Sequence, residues 1–541
     1  MKNKRFILAI TILLLSSCVN PFGSSSDISG DASSDSSHDA SNTSSSDFSS
    51  DTGSDTSGDT NSDTSSHSGS DRPTSGTEVV DFYAINDFHG AISPDAYFGE
   101  PGLARVATYL KDKKDDKPDN TVIISSGDMY QGSYDAYHNR GRVVTESMNE
   151  IGFDSMTIGN HEFDWGTADI LDNVGWADFP LLGANIMEYP NTSVKSSIGE
   201  EYVIIERGFL KIGIIGVIGQ GQITSINSRY MQNLYFEEPT QIIKDLSVEL
   251  REEQEVDIVV LSIHAGQSEV DYSIPEGDYV DAVFCSHTHR VEQQVVNGVP
   301  FIQGGSNGKY VSNIKLSYNY ANGQVSHLSS QNTYEGQLSS LSQDSEVQTI
   351  IDGYAAESNI DKNQVYGSLT SKLSRYETLP NMANYAAAMQ AEENGYEIDF
   401  AMTNVGRSDI PSGTVTYGDL FKGLPFDNYV YIVRATGRNI KSQASYNYFY
   451  RVSDYTSLNN STYYTIAIVD YVVLHQSIYK AYDYFSDYNP EEDYLGFLYQ
   501  TGNEDAAIYP RDLIGELFTN DPDHTINPED YTGSRYEQLT V

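Results

Sequence analysis

The sequence predicts a layered α/β domain followed by a second, smaller domain of mixed α and β structure. Three observations carry this prediction. Apolar runs typical of strands alternate with runs of helical spacing between residues 79 and 285. Short polar clusters follow the ends of these strand-like runs. From about Tyr334 the amino-acid composition changes, and a Tyr-rich region with its own strand and helix patterns begins.

The first residues predict export and lipid anchoring. A basic start is followed by an apolar run from Phe6 to Leu15, which is too short to span a bilayer, so residues 1–17 are expected to be a cleaved signal peptide. Cys18 comes directly after Leu-Ser-Ser, which resembles the lipobox of bacterial lipoproteins. This resemblance implies that Cys18 is acylated and anchors the protein to the outer face of a bacterial cell membrane.

Residues 18–77 are almost only Ser, Asp, Thr and Gly, with Asp recurring every fourth position over two stretches. Because there is little apolar surface to bury, we expect a disordered, self-repelling tether. A calcium-binding acidic repeat is the alternative. The whole chain has 32 basic and 77 acidic residues and a net charge of −45, which argues against electrostatic binding of a nucleic-acid polymer.

With Cys18 acylated, Cys285 is the one cysteine left, so no intrachain disulfide is expected and the core must hold the fold. Strands are predicted at residues 79–85, 121–126, 155–158, 211–217, 257–263 and 280–285. Helices are predicted at residues 103–114 and about 240–255. This alternation favours a sheet buried on both faces.

Polar clusters follow five of these strands. In open α/β sheets, loops at the carboxyl ends of strands converge on one crevice, so we expect the clusters to meet there. They comprise Asp87 and His89, then Asp128, then Asn160, His161 and Asp164, then His264, and finally His287 and His289. Mixed imidazole, carboxylate and amide ligands suit zinc, manganese, iron or cobalt, whereas calcium or magnesium favours oxygen alone. The identity of the metal stays open.

The predicted domains follow from these patterns. The first domain covers residues 78–335, and residues 336–362 form a helical linker, with the helix itself at residues 340–357. The second domain covers residues 363–520 and is followed by a loosely ordered polar tail at residues 521–541.

Five short motifs, taken together and in this order, resemble those of the calcineurin-like binuclear metallophosphatases, and specifically the exported 5′-nucleotidase/UDP-sugar hydrolase family. They are Asn86-Asp87-x-His89-Gly90, Gly127-Asp128, Gly159-Asn160-His161-Glu162, His264-x-Gly266 and His287-Thr288-His289. The resemblance implies an αββα metallophosphoesterase domain followed by a smaller α+β substrate-binding domain. It also implies two divalent metal ions, zinc, manganese or similar.

The resemblance assigns roles to these residues. It implies that one metal is surrounded by Asp87, His89, Asp128 and His289, and that Asp128 bridges to a second metal, which also takes Asn160, His264 and His287. His161 would contact the developing charge or protonate the leaving oxygen, and Asp164 would orient its ring. One departure is Cys285-Ser286, where the family often has Gly before the first His. Ser286 is small enough to be accommodated, and Cys285 is interpreted as a buried hydrophobe.

The second domain resembles the substrate domain of the same nucleotidases. The resemblance implies that Asn404 and Arg407 lie in the loop that contacts phosphate, although the loop is shorter here, and that Phe426 and Asn428 belong to the element whose Phe stacks on a nucleobase. Tyr471 is either the opposing ring or core packing. The family's Gly-Gly-Asp-Gly ribose element is replaced by Val472-Val473-Leu474-His475-Gln476, so the ribose contact is missing or built differently.

The leading hypothesis is extracellular hydrolysis of nucleoside monophosphates. A 2′,3′-cyclic nucleotide phosphodiesterase, a UDP-sugar hydrolase or another phosphomonoesterase would share the same metal loops. From a different class, the chain could be a noncatalytic surface-binding module, but the occupied His161 and Asp164 positions argue against it.

Overall fold

A computed structural model gives the fold of the chain. It describes residues 72–191, 193–231, 233–443, 448–451, 458–474, 485, 487–500 and 503–532. The predicted signal peptide, the predicted lipidation site Cys18 and the tether up to residue 71 lie outside the described residues, as do His475 and Gln476. No helix of the described residues combines the length and the apolar character needed to cross a membrane.

The first domain contains two mixed sheets. Its strands are β1 (Thr77–Ile85), β2 (Thr121–Ser125), β3 (Ser155–Thr157), β4 (Leu181–Leu182), β5 (Ile186–Glu188), β6 (Tyr202–Arg207), β7 (Leu210–Ile218), β8 (Leu234–Phe236), β9 (Ile258–His264), β10 (Ala282–Phe284), β11 (Val291–Val296), β12 (Val299–Gly304), β13 (Tyr310–Asn319) and β14 (Gln324–Tyr334). One six-stranded sheet has the order β14-β13-β1-β2-β3-β4, and the other has the order β11-β12-β10-β9-β7-β6. β5 and β8 form a separate antiparallel pair.

The middle of each sheet is parallel. β1 to β4 run parallel in the first sheet, as do β7, β9, β10 and β12 in the second. Such strands are covered on both faces and read as nearly continuous apolar runs, which is why they could be found in the sequence. The inner faces of the two sheets meet in one core, in which Phe82 and Ile124 of the first sheet lie with Ile214 and Phe284 of the second.

Helices cover the outer faces of both sheets. They are α1 (Leu103–Asp116), α2 (Tyr134–Tyr137), α3 (Arg142–Ile151), α4 (Thr167–Trp176), α5 (Pro239–Glu252), α6 (Ser273–Glu276), α7 (Glu335–Leu338) and α8 (Ser345–Lys362). Leu110 of α1 and Met148 of α3 pack on the first sheet, and Leu246 of α5 packs on the second. The domain is therefore layered helix–sheet–sheet–helix, and the predicted fold class is confirmed.

The second domain is smaller and is built around two further sheets. Its elements are β15 (Val365–Leu369), α9 (Thr378–Glu393), β16 (Phe400–Thr403), β17 (Gly413–Thr416), α10 (Tyr417–Gly423), β18 (Val430–Thr436), α11 (Gly437–Gln443), β19 (Tyr448–Arg451), β20 (Tyr463–Val469), α12 (Asp470–Val473), α13 (Pro490–Asp493), β21 (Tyr494–Phe497), β22 (Tyr499–Gln500), β23 (Asn503–Ala507), α14 (Pro510–Asn520) and β24 (Thr525–Ile526). One sheet has the order β19-β16-β20-β18-β21 and the other β17-β15-β24.

Two predicted boundaries differ from the structure. The linker helix α8 begins and ends five residues later than predicted, at Ser345 and Lys362. The predicted polar tail is, up to residue 532, part of the second domain. β24 pairs in parallel with β15, and the Asn381 side chain donates to the backbone oxygen of Tyr531 at 2.9 Å. Two residues of strand are too short for a periodic signal, so the polar composition of this segment concealed its pairing.

Direct contacts hold the second domain over the carboxyl ends of the first-domain strands. Gln131 donates to the backbone oxygen of Pro425 at 2.8 Å, and the Tyr137 hydroxyl donates to Asp427 at 2.8 Å. At the end of α8, the Lys362 ammonium lies 2.7 Å from both oxygens of Asp135. The loops of the two domains therefore face each other.

Candidate active site

The five predicted strand-end loops converge on one place, and the backbone of three of them is strained there. φ is positive at Asp87 (48°), His89 (51°), Asp128 (57°), His287 (68°) and His289 (56°). The left-handed region is uncommon for residues other than glycine and costs free energy, so such residues persist only where the surroundings enforce them. The strain therefore indicates that these side chains are held at defined positions.

The first group of potential metal ligands comprises Asp87, His89 and His289, whose ligand atoms lie within 4.8 Å of one another. The Nε2 atoms of His89 and His289 are 3.0 Å apart, and His289 Nε2 lies 3.5 Å from Asp87 Oδ1. Asp128 lies within 4.8 Å of His89 in an overlapping group. The four residues predicted around one metal are thus brought together.

The second group comprises Asp128, His264 and His287, again with ligand atoms within 4.8 Å of one another. Two imidazoles approach the Asn160 amide oxygen, with His264 Nε2 at 3.0 Å and His287 Nδ1 at 2.9 Å. His264 Nε2 also lies 3.2 Å from Asp128 Oδ2. Asp128 therefore stands between the two groups, as the prediction of a bridging carboxylate requires.

Backbone oxygens and one hydroxyl group contact the Nδ1 atoms of two of these imidazoles. His89 Nδ1 lies 3.1 Å from the backbone oxygen of Gln131, and His264 Nδ1 lies 2.8 Å from that of Ser126. The Ser286 hydroxyl donates to the Ser126 oxygen at 2.8 Å and lies 2.9 Å from His264 Nδ1. Ser286, the residue that departs from the family pattern, is thus accommodated and contacts the His264 ring. Cys285 is buried in the core of the second sheet, as predicted.

The electrostatics fit a dication site. Burial, Arg407 and the neighbouring imidazole of His289 hold the pKa of His89 well below its usual value, and burial together with His264 lowers the pKa of His287 to about 4. Both rings are therefore neutral at pH 7 and offer lone pairs. Burial opposes a charge on His264, but the Asp128 carboxylate outweighs it and raises that pKa to about 9. A bound cation would take the place of this proton beside Asp128.

His161 and Asp164 form a close pair next to the ligand groups. His161 Nδ1 lies 2.6 Å from Asp164 Oδ2, and the His161 ring is nearly buried. Burial disfavours the imidazolium, but Asp164 and Asp128 outweigh it and raise the pKa of His161. The ring meets that of His89 edge-on, with centroids 5.3 Å apart. This arrangement suits a histidine that holds a proton for transfer.

Glu162 has a structural role that the sequence did not reveal. Its buried carboxylate accepts hydrogen bonds from the backbone N–H groups of Asp128 at 2.8 Å, Met129 at 2.8 Å and Gly159 at 2.7 Å. It therefore joins the loop after β2 to the loop after β3. The identity of the residue alone could not indicate this, because two of its three partners, the N–H groups of Asp128 and Met129, belong to another strand end.

A cavity of about 310 Å³ extends from the ligand groups to the second domain. The predicted substrate residues that line it are Asn404, Arg407, Phe426, Asn428 and Tyr471. An Arg407 guanidinium nitrogen lies 2.8 Å from His89 Nε2, and the Phe426 ring stacks on His161 with centroids 5.4 Å apart and an interplanar angle of 13°. Tyr471 both lines the cavity and packs on the second-domain core, and its role as the opposing ring stays a prediction.

Other cavity residues were missed by sequence reasoning. Arg375 lines the cavity and donates to the backbone oxygen of Arg407 at 2.7 Å. Asn227 and Arg229 reach the cavity from the segment between β7 and β8 of the first domain. None of these residues lies in a cluster of polar residues after a predicted strand, and their proximity depends on how the two domains meet.

Comparisons with known proteins agree with this architecture. A family model described as calcineurin-like phosphoesterase matches residues 80–291, and one described as 5′-nucleotidase, C-terminal domain, matches residues 359–443. The chain is 27% identical over 403 residues to an apyrase from Tabanus yao, covering 66% of this chain and 71% of that protein. It is 25% identical over 415 residues to protein UshA from Yersinia enterocolitica, covering 66% and 74%.

Among solved structures, the fold is similar to that of a 5′-nucleotidase precursor from Thermus thermophilus. The TM-score is 0.66 at 17% sequence identity, and the match covers 83% of this chain and 99% of that one. The metallophosphoesterase fold implies divalent metal ions, and the clustered carboxylate, imidazole and amide groups are suited to hold them. The chain therefore combines a domain that matches the calcineurin-like phosphoesterases with a domain that matches the 5′-nucleotidase C-terminal domains, and it is a metal-dependent phosphoester hydrolase.

Proposed function

We propose that this enzyme is a 5′-nucleotidase, which hydrolyses nucleoside monophosphates to nucleoside and phosphate outside the cell. The observation that carries the proposal is the single cavity that joins the ligand groups of the first domain to Arg407, Phe426 and Tyr471 of the second. A nucleotide has the same sequence of parts: a phosphate, then a sugar, then a flat base. Phosphate would lie at the ligand groups and the base beside the aromatic rings.

In this proposal, two divalent ions, zinc, manganese or similar, are held by the residues described above. Asp87, His89, Asp128 and His289 hold one, and Asp128, Asn160, His264 and His287 hold the other. When bound, such a pair supplies Lewis-acid stabilisation of phosphoryl oxygens and a water activated at neutral pH. The Asn160 amide nitrogen is buried and makes no hydrogen bond within the described residues, and the Asn160 oxygen lies beside the two imidazoles of the second group, where it could serve as a ligand with them.

The chain's own residues then handle the leaving group and the phosphate charge. His161 Nδ1 is engaged by Asp164, which leaves Nε2 to give a proton to the nucleoside 5′-oxygen as its bond to phosphorus breaks. Asp164 stabilises the imidazolium before the transfer. Arg407 neutralises phosphate charge, and its planar donors suit phosphate oxygens.

The second domain supplies the nucleoside contacts in this proposal. A base that lies against Phe426 or Tyr471 gains about 1–3 kcal/mol of stacking. Asn404 and Asn428 offer amide donors and acceptors along the same wall. Export and attachment to the membrane through an acylated Cys18 complete the proposal. A Cys18→Ser variant that is still recovered in the membrane fraction would contradict the anchor.

A substrate profile with metal reconstitution tests the function. Purified protein is stripped with a chelator, reconstituted with Mn²⁺ or Zn²⁺, and assayed with AMP, UDP-glucose, 2′,3′-cyclic AMP and p-nitrophenyl phosphate. We expect AMP to give the highest kcat/KM and the stripped protein to be inactive. Activity confined to p-nitrophenyl phosphate would refute the nucleotidase, and a preference for UDP-glucose or the cyclic nucleotide would favour those alternatives. A protein that binds no metal and stays inert would be a noncatalytic module.

A further inference from the structure

The loop that carries Phe426 and Asn428 contains no helix or strand. It covers residues 424–429 (the Phe426 loop), between the end of α10 at Gly423 and the start of β18 at Val430. Three successive residues of the loop, 426 to 428, line the cavity. Because the backbone of such a loop has few hydrogen bonds of its own, side chains from elsewhere must hold it in a defined position.

Three successive backbone oxygens of this loop, at residues 425–427, accept hydrogen bonds from long side chains. In chain order, the donors are Gln131 Nε2 at 2.8 Å, Arg511 Nη1 at 3.0 Å and Arg229 Nη2 at 2.5 Å. Gln131 and Arg229 belong to the first domain, whereas Arg511 is the second residue of α14 in the second domain. The Phe426 loop is therefore held from both domains.

Arg511 contacts the loop at two points. Besides the backbone oxygen of Phe426, it binds the Asp427 carboxylate, with Nη2 2.5 Å from Oδ1. The Arg511 side chain is 1% exposed, and its Cζ lies 4.9 Å from the centroid of the Phe421 ring and 4.7 Å from that of Tyr509. A planar guanidinium packed between rings has little room to reorient, so it sets where these two loop atoms lie.

The Asp427 carboxylate extends this contact to the first domain. Its other oxygen, Oδ2, accepts a hydrogen bond from the Tyr137 hydroxyl at 2.8 Å. The Tyr137 ring packs on Phe421 with centroids 4.8 Å apart, and Arg511 Cζ lies 5.6 Å from the Tyr137 centroid. Because both of its oxygens are bound, Asp427 restricts the orientation of the cavity-lining residues on either side of it in the chain.

We propose that Arg511 is a positioning residue for nucleoside binding, which holds the Phe426 loop so that Phe426 and Asn428 lie against the nucleoside. The inference rests on the proposed nucleotidase function and adds to it a residue buried behind the cavity wall. Arg511 is not among the residues that line the cavity, so it acts on the substrate through the loop alone. Its replacement should therefore weaken binding of the nucleoside and leave binding of phosphate unchanged.

Two variants test this role. Arg511→Lys keeps the positive charge beside Asp427 but replaces the planar group that reaches two loop atoms by a single ammonium. Tyr137→Phe is milder, because it removes the hydroxyl that binds Asp427 and keeps the ring beside Arg511. Urea unfolding of each variant confirms that the assays are made on folded protein.

Arg434→Lys is the matched control. Arg434, on β18 of the same domain, also donates to a carboxylate and to a backbone oxygen, those of Asp493 at 3.3 Å and Glu492 at 2.5 Å. It does not line the cavity and contacts no residue of the Phe426 loop through these bonds. An effect of Arg511→Lys that exceeds that of the control therefore belongs to the loop.

The assays use AMP, p-nitrophenyl phosphate, which has neither ribose nor base, and two inhibitors of its hydrolysis, adenosine and inorganic phosphate. We expect Arg511→Lys to raise KM for AMP and the inhibition constant of adenosine about tenfold. The kinetic constants for p-nitrophenyl phosphate and the inhibition constant of phosphate should stay within about twofold of wild type. Tyr137→Phe should act in the same direction by about threefold, and Arg434→Lys should match wild type.

An equal loss with AMP and p-nitrophenyl phosphate would overturn the proposal, since it would show that Arg511 supports the fold in general. Unchanged values for AMP and adenosine in Arg511→Lys would overturn it as well. If Arg511→Lys does not fold, Tyr137→Phe decides: a selective rise supports the proposal and unchanged values refute it. Failure of the underlying function would be seen in the wild type itself, as hydrolysis of p-nitrophenyl phosphate without hydrolysis of any nucleotide, and that result would refute both.

Discussion

Among the site histidines, His161 contacts a carboxylate that lies outside the two groups of four proposed metal ligands. Its Nδ1 is 2.6 Å from Asp164, whereas His89 and His264 are backed by backbone oxygens. A His–carboxylate pair keeps the ring in one tautomer and stabilises its protonated form. At the scale of single residues, this difference separates a proton donor from a metal ligand.

Replacing His161 by Ala should therefore lower kcat about 10²- to 10⁴-fold and leave the metal content unchanged. Asp164→Asn should lower kcat in the same direction by a smaller factor, because the ring stays in place. Steady-state kinetics with AMP and elemental analysis of the purified variants measure both effects. The ligand atoms of His89, Asp128 and His161 also lie within 4.8 Å of one another, so a parallel loss of metal would make His161 a ligand instead.

Glu162 offers a second prediction at the residue scale. Glu162→Gln places an NH₂ group opposite backbone N–H donors, so at least one of the three hydrogen bonds is lost and replaced by donor–donor repulsion. We expect the free energy of unfolding to fall by about 2–3 kcal/mol and metal affinity to weaken about 10- to 100-fold. Urea unfolding and Mn²⁺ titration measure these changes. The control is Glu238→Gln, at an exposed residue that caps a helix. Equal effects in both variants would contradict the role of Glu162 in joining the two loops.

The sequence predicted which residues would converge but not what holds them. Asp87, Asp128 and His264 could be found because each comes at the end of an apolar run or just after it. Glu162 and Arg375 act on backbone atoms that are distant in sequence, and no local pattern records such partners. The pairing of Phe426 with His161 was equally hidden, since it depends on the contact between two domains.

At the scale of elements, the site depends on the close approach of two neighbouring strand ends. Gly127 follows β2 and Gly159 follows β3. A Cβ on Gly159 would collide with Asp128 Oδ1 and would lie 2.7 Å from the Asp128 nitrogen and 2.8 Å from His264 Cε1. The φ of Gly159 is not in the left-handed region, so the requirement for glycine at this position is one of space.

Gly159→Ala should displace the Asp128 carboxylate and the His264 ring together. We expect metal binding to weaken at least about 10- to 100-fold, with kcat falling in parallel because the site is no longer loaded. Gly221→Ala is the matched control, since a Cβ there meets nothing within 4 Å. Elemental analysis after dialysis measures the difference, and a Gly159→Ala protein with wild-type metal content would show that the two loops have more room than the structure gives them.

The strands of the parallel core were predictable for a physical reason. Burial on both faces makes their sequences continuously apolar, so β1, β7 and β9 could be located within a few residues. Short pairings such as β15 with β24 could not, because two residues give no period. Local patterns therefore describe the first domain well and the second domain only in part.

At the scale of the whole molecule, a buried ion pair joins the two domains. Asp470, at the end of β20, pairs with Arg229 of the first domain, and its side chain is fully buried. Burial disfavours the carboxylate more than Arg229 favours it, so the pKa of Asp470 is raised to about 6 from its ordinary value of 3.8. Between these two pH values the folded protein holds a proton that the unfolded chain has lost. Stability from this group is therefore complete below about pH 4 and is lost as the pH rises through about 6.

Asp470→Asn removes this titration, and the pH profile of the variant isolates it. We expect the free energy of unfolding of the wild type, relative to that of the variant, to fall by on the order of 3 kcal/mol between pH 4 and pH 7. Urea unfolding at several pH values measures this difference. Asp409→Asn is the control, because Lys372 lowers the pKa of Asp409 against the effect of burial, so the stability that Asp409 contributes is lost only as the pH falls below its ordinary pKa of 3.8. The difference between wild type and Asp409→Asn should therefore stay nearly constant between pH 4 and pH 7. A difference between wild type and Asp470→Asn that is constant over this range, or grows with pH, would mean that Asp470 is ionised in the folded protein and that the Arg229 contact outweighs burial.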